Sequence, residues 1–212
     1  MAASVPTQAR NLPLLATPST TAGKTYIITG ANTGLGFEAA KHLATLGAAK
    51  VILAVRNPSA GQAAKLDIET AAGLGPDSDV VQVWPLDLCS YASVRAFANR
   101  AGDELERIDG LVLNAAVALA TREMAEGHVK PVTVNVISTL LLAVLLLPVM
   151  SGMAEKLGGG MLPRVVVVTS RVGFDAREEW EGIKDDPVRG MDAEDMVPLT
   201  TWVLILILVS SG

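Results

Sequence analysis

Thr29-Gly30-Ala31-Asn32-Thr33-Gly34-Leu35-Gly36 is the stretch on which the reading of the fold turns. The apolar Tyr26-Ile27-Ile28 before it reads as a short buried strand. Residues 37–46 after it read as a helix, with apolar positions at Phe37, Ala40, Leu43, Ala44 and Leu46. A strand, a glycine-rich turn and a helix N-terminus make a phosphate site. Glycines let the backbone turn tightly and approach a pyrophosphate, and the free N–H groups of the helix start favour an anion. The spacing is Gly-x-x-x-Gly-x-Gly rather than Gly-x-Gly-x-x-Gly. Taken alone it is also compatible with an ordinary strand-to-helix turn.

The flanking chain repeats the alternation. Residues 51–55, 80–84, 110–114 and 165–168 are apolar runs of strand length. Between them lie helical stretches at 60–72, which Ser59 can cap, at 91–105, which Ser90 can cap, and at 130–153, with a bend expected at Pro148. Strands alternating with helices predict a parallel sheet covered on both faces with right-handed crossovers. Residues 1–22 carry Ala, Pro, Ser and Thr with one arginine and read as a disordered extension, or more thinly as a transit peptide. Residues 175–195 read as an acidic surface loop.

Composition narrows the function. The 212 residues suit one domain with a sizeable core. A net charge of −5 without a basic stretch argues against a nucleic-acid partner. The lone Cys89 excludes an internal disulfide and suits a reducing, cytoplasmic setting. With His42 and His128 it shows no zinc-like spacing, so no metal site is expected. Half the residues are hydrophobic and mean hydropathy is +0.40, which points to deep burial or an oligomer interface. Residues 131–154 carry no charged side chain but hold the polar Thr133, Asn135, Ser138 and Thr139 and also Pro148, so a membrane span is weighed and set below a core helix. That helix is apolar on nearly every face, and a homo-oligomer built on 130–153 is expected.

The motif and its surroundings resemble the short-chain dehydrogenase/reductase family, whose cofactor signature is Thr-Gly-x-x-x-Gly-x-Gly after the first strand. The resemblance runs over residues 23–170 and more weakly beyond. Ala31-Asn32-Thr33-Gly34-Leu35-Gly36 and Ala54-Val55-Arg56-Asn57 are similar to retinol-dehydrogenase-like members and their fungal relatives. It implies an α/β fold, a single Rossmann-like doubly wound parallel sheet over 23–212, incomplete at its C-terminal edge. It also implies an NADP-dependent oxidoreductase acting on a small-molecule carbonyl/alcohol pair, with a place in secondary metabolism.

Residue by residue, Gly30, Asn32, Thr33, Gly34, Leu35 and Gly36 match the cofactor loop. Arg56 ends the second strand, 20 residues after Gly36, and no Asp or Glu lies between Val51 and Lys65. An acidic residue there would repel a ribose 2′-phosphate, whereas guanidinium pairs with it, so the sequence reads NADP; a solvated strand-end arginine is the plain alternative. Asp87 and the amide of Leu88 match the adenine contacts, and Asp87 could equally cap the next helix. Asn114 and Ala115 match the second Asn and the Ala of Asn-Asn-Ala-Gly, with Leu113 and Ala116 as departures. Asn135 matches the asparagine whose backbone helps hold a relay water. Ser170 matches the serine that orients the substrate carbonyl, or simply ends a strand.

The family's Tyr-x-x-x-Lys supplies the proton and holds the nicotinamide ribose. The only tyrosines are Tyr26 and Tyr91, both upstream of Ser170. Trp180 and Lys184 have the spacing, but tryptophan cannot protonate an alkoxide, and Gly182 argues against helix. The better alignment puts Val197 and Thr201 in those places. Little or no turnover is therefore expected, and a nucleotide-binding remnant or scaffold stands beside the oxidoreductase. The family also implies further strands beyond Gly212, as a frame-shifted or mis-spliced product would lack.

Overall fold

The computed structural model describes residues 15–75, 77–158, 160, 162–169 and 177–194. After a helical turn α1 (Pro18–Thr21), β1 (Thr25–Thr29) leads through the glycine turn into α2 (Gly34–Thr45). Then come β2 (Lys50–Val55), α3 (Pro58–Ala71), β3 (Val81–Pro85), α4 (Tyr91–Glu104) and β4 (Gly110–Leu113). A small antiparallel hairpin follows, β5 (Met124–Ala125) and β6 (His128–Val129). A π-helical segment (Val132–Ser138) runs into α5 (Thr139–Lys156), and β7 (Arg164–Val167), α6 (Arg177–Ile183) and α7 (Pro187–Asp192) complete the described chain.

The main sheet is parallel throughout, in the order β3-β2-β1-β4-β7. Its core is double because neighbouring strand residues point to opposite faces. Ile28, Val51, Leu53 and Val55 pack with Ala40, Ala44, Ala64 and Ile68 of α2 and α3. Ile27, Ile52, Trp84 and Leu111 pack with Val94, Phe97, Leu142, Leu146 and Met150 of α4 and α5. Strands buried on both faces must be apolar almost continuously, as β1 and β2 are. The chain winds outward from β1 to β3, then returns through α4 to β4 on the other side of β1. The carboxyl ends of β1 and β4 thus flank the point where strand order reverses, where open α/β sheets place ligands.

Several expectations need correction. Of the extension expected to be disordered, residues 1–14 lie outside the described residues, while Pro18–Thr21 is helical, Thr21 is buried, and Gly23 N–H donates to Gly47 O at 3.0 Å at the entry to β1. The cap of α3 is Asn57, not Ser59: its side chain accepts from Ser59 and Ala60 N–H, and Pro58 takes the first helical position. Within the expected acidic loop, Arg177–Ile183 and Pro187–Asp192 form a helical hairpin. Trp180, Ile183, Val188 and Met191 recur at helical spacing and pack on Val129, Val132, Val136 and Ile137. Asp186 and Pro187 start α7 as cap and first residue. Gly182 is tolerated in α6, where a Cβ would meet nothing.

The 130–153 helix begins irregularly, with a π turn in which Thr139 Oγ1 donates to Val134 O at 2.8 Å. Pro148 lies inside α5. The stretch Val132–Lys156 is long and apolar enough to cross a bilayer, with mean hydropathy 2.4. Here Leu142, Leu146 and Met150 of it are wholly buried against the sheet and α4, while Leu140, Val144 and Leu147 form an exposed apolar stripe.

Candidate functional site

A cleft of about 420 Å³ opens at the carboxyl ends of β1, β2, β3 and β4. Gly30, Asn32, Thr33, Arg56, Asp87, Leu88, Asn114 and Ala115 all line it, drawn from parts of the chain up to 85 residues apart. Gly34, Leu35 and Gly36 form the first turn of α2 beside it, and the Leu35 side chain is exposed. Ser170, Val197 and Thr201 lie outside the described residues.

The floor of the cleft is a hydrogen-bonded seam between β1 and β4. Thr29 Oγ1 accepts from the N–H groups of Asn114 and Ala115, each at 3.0 Å. Asn114 Nδ2 donates back to Thr29 O at 3.0 Å. Gly30 is left-handed at φ 66°, and a Cβ there would lie 3.0 Å from Ala115 Cα. At Gly36 a Cβ would lie 2.5 Å from Asn114 Nδ2 and 2.7 Å from Gly30 O. Glycine at 36 therefore lets α2 start directly above the seam. Thr33, the cap of α2, makes no side-chain hydrogen bond to the helix, which leaves the first-turn amides for another acceptor. The site fits a bound anion.

The other wall follows β3. Asp87 was weighed as a helix cap, but Ser90 has that place, accepting from Ser93 N–H at 3.3 Å. The Asp87 carboxylate accepts instead from Cys89 N–H at 2.9 Å, and Asp87 N–H donates to Ser93 Oγ at 2.9 Å. Cys89 also lines the cleft, and burial, then the nearby Asp87 charge, push its thiol pKa up. Arg56 is exposed at the rim and forms no ion pair among the described residues.

Asn135 does not line the cleft. Its Oδ1 accepts from Val117 N–H at 2.8 Å and its Nδ2 donates to Val117 O at 2.9 Å, fixing a residue that does. Lys184 is exposed, paired with Glu181 at 2.8 Å and absent from the cleft lining. Sequence reasoning missed Cys89, Val117 and Val134 as lining residues, since a lone thiol in a turn and valines in a loop and a helix carry no chemical signature. It missed the β5–β6 hairpin as well, whose strands are two residues each.

A glycine turn at a sheet's switch point, with an arginine and a carboxylate just past the ends of the next two strands, defines a doubly wound α/β protein with a candidate anion site. The family model described as short chain dehydrogenase matches residues 24–182, and the chain belongs to the short-chain dehydrogenase/reductase family. It is 48% identical over 132 residues to the short chain dehydrogenase/reductase dmxR8 of Cryptosporiopsis sp., covering 62% of this chain and 40% of that protein. It is 44% identical over 153 residues to the short chain dehydrogenase sol3 of Alternaria solani, covering 72% and 51%. The chain thus spans about half the length of these curated relatives or less. Many solved structures share the fold, and two illustrate it. A putative short chain dehydrogenase from Escherichia coli complexed with NADPH has TM-score 0.66 and 22% identity, over 92% of this chain and 71% of that one. A 3-ketoacyl-(acyl-carrier-protein) reductase from Brucella melitensis complexed with NADH has TM-score 0.63 and 24% identity, over 90% and 67%.

Proposed function

We propose that this chain binds NADP(H) and is an oxidoreductase of the family's carbonyl/alcohol type. The observation that carries this is the cleft that gathers Thr33, Arg56, Asp87 and Asn114 beside the free helix start of α2. The first-turn amides at Gly34, Leu35 and Gly36 take the pyrophosphate, with Gly30 and Asn32 beneath. Arg56 takes the 2′-phosphate, Asp87 and the Leu88 amide take the adenine, and Asn114 and Ala115 border the ribose. Neighbours of the same fold were solved with NADPH and with NADH, so the choice of NADP rests on Arg56 and on the missing acidic residue at that strand end. The bound nucleotide supplies the hydride. On this reading Asn135 serves the proton relay through its backbone and Ser170 orients the carbonyl. A cytoplasmic setting, a role in secondary metabolism and self-association through α5 belong to the same proposal.

A second reading is favoured by one observation: no tyrosine follows Tyr91. A positioned acid is worth about 10²–10⁴ in rate, and neither Val197 nor Thr201 can supply or tune one. On this reading the nucleotide is held without turnover. The assay follows NADPH oxidation against reactive ketones and quinones, with Val197→Tyr/Thr201→Lys beside the unmodified chain. Turnover by the unmodified chain establishes the oxidoreductase with another acid. Activity confined to the double replacement establishes the second reading.

A further inference from the structure

Glu126 is the one described non-glycine residue with a left-handed backbone, at φ 51°. Such a conformation is costly for a residue with a long side chain, and it persists where the surroundings impose it. Glu126 and Gly127, at φ 87°, form the turn between β5 and β6. The turn delivers the Glu126 carboxylate to the start of another element: Oε1 accepts from Tyr91 N–H at 2.8 Å. Tyr91 is the first residue of α4, so its N–H has no partner within the helix, and a carboxylate there also suits the helix dipole.

The residues just before Tyr91 are the cleft wall, Asp87, Leu88 and Cys89. The other described hydrogen bonds to backbone N–H groups between Asp87 and Ser93 come from within the segment: Ser93 Oγ, Asp87 Oδ1, Asp87 O and Ser90 Oγ. Glu126 is the acceptor that reaches it from a distant part of the chain. The hairpin presenting Glu126 is itself pinned. Thr133 Oγ1 donates to Ala125 O at 2.6 Å, Lys130 N–H donates to Glu123 O at 2.7 Å, and Asp192 Oδ1 of α7 accepts from Val129 N–H at 2.8 Å.

We propose that Glu126 is a positioning residue for nucleotide binding: it accepts from the first N–H of α4 across the fold, beside the Ser90 cap, and so sets the Asp87–Cys89 wall that meets the adenine side. This rests on the cofactor reading above. Isothermal titration of 2′,5′-ADP against the full chain tests it, with Glu126→Ala, Glu126→Gln, Tyr91→Pro and the double variant Glu126→Ala/Tyr91→Pro. Proline is favoured at a first helical position and lacks the N–H, so Tyr91→Pro removes the same bond from the donor side, even where Glu126→Ala does not fold. The expected result is a loss of about fivefold in affinity for Glu126→Ala and for Tyr91→Pro, the scale of a lost helix cap. Glu126→Gln stays within about twofold of the wild type, since its amide oxygen still accepts, and the double variant is no weaker than either single. Unchanged affinity in both single variants, even with a lowered Tm, overturns the positioning role, as does additive loss in the double. Failure of the unmodified chain to bind 2′,5′-ADP refutes the cofactor reading and this inference with it.

Discussion

The seam under the cleft depends on an absent atom. At Gly36 a methyl group would sit 2.5 Å from Asn114 Nδ2, which is held by Thr29 O, and 2.7 Å from the backbone carbonyl of Gly30. Gly36→Ala must displace α2 or break the Asn114–Thr29 bond. It should cost about 1–3 kcal/mol of stability in urea unfolding, as overpacking does, and weaken nucleotide binding with it. Wild-type stability and binding in that variant would refute the close packing. Cys89 gives a second test. Its thiol pKa is raised, by burial first and the Asp87 charge second. The unfolded chain therefore releases this proton at lower pH than the folded one, so the thiol's contribution weakens stability as pH climbs above about 8.5. Native chain should react with iodoacetamide at pH 8 more slowly than urea-unfolded chain, and saturating NADPH should slow it further, because Cys89 lines the cleft. Equal rates in native and unfolded chain would contradict this. The residues at the seam were legible because glycine, asparagine and arginine announce their chemistry by type and spacing. The clasp of Asn135 on Val117 was not, since it joins positions 18 apart through a π turn that periodicity does not encode.

Among elements, the strands were easiest to read. Two-sided burial demands continuous apolar runs, and Val51 to Val55 is one. The α6–α7 hairpin was misread because its charges outnumber its anchors, although Trp180, Ile183, Val188 and Met191 carry the helical spacing and Asp186-Pro187 is a helix start. Its hold on the body is part apolar, part polar. Met191 is fully buried, and Asp192 Oδ2 meets His128 Nδ1 at 2.6 Å. Arg122 donates to the carbonyls of Asp192 and Ala193. Met191→Ala should cost about 2–5 kcal/mol if the hairpin unfolds with the whole domain. If the hairpin opens on its own, amides of 177–192 should lose protection in hydrogen exchange while those of β1 and β2 keep theirs. No change in either measurement would mean that Met191 anchors nothing.

For the whole molecule, the sheet order puts the cleft where the strands part, and its chemistry follows from what the strand ends carry. The outer face of α5 exposes Leu140, Val144 and Leu147, one stripe at four- and three-residue spacing. A second copy across this stripe is the proposed assembly. Sedimentation should show a homo-oligomer that Val144→Glu dissociates, and a monodisperse monomer of the unmodified chain would refute it. The central claim is that the cleft selects NADP(H) through Arg56. Calorimetric titration of NADPH and NADH against the unmodified chain and Arg56→Ala tests it most directly. The account predicts tighter binding of NADPH, with the replacement removing the preference at roughly 1.5–3 kcal/mol, the scale of a charged hydrogen bond. Equal affinity for NADPH and NADH in the unmodified chain, or a preference that survives Arg56→Ala, would contradict it.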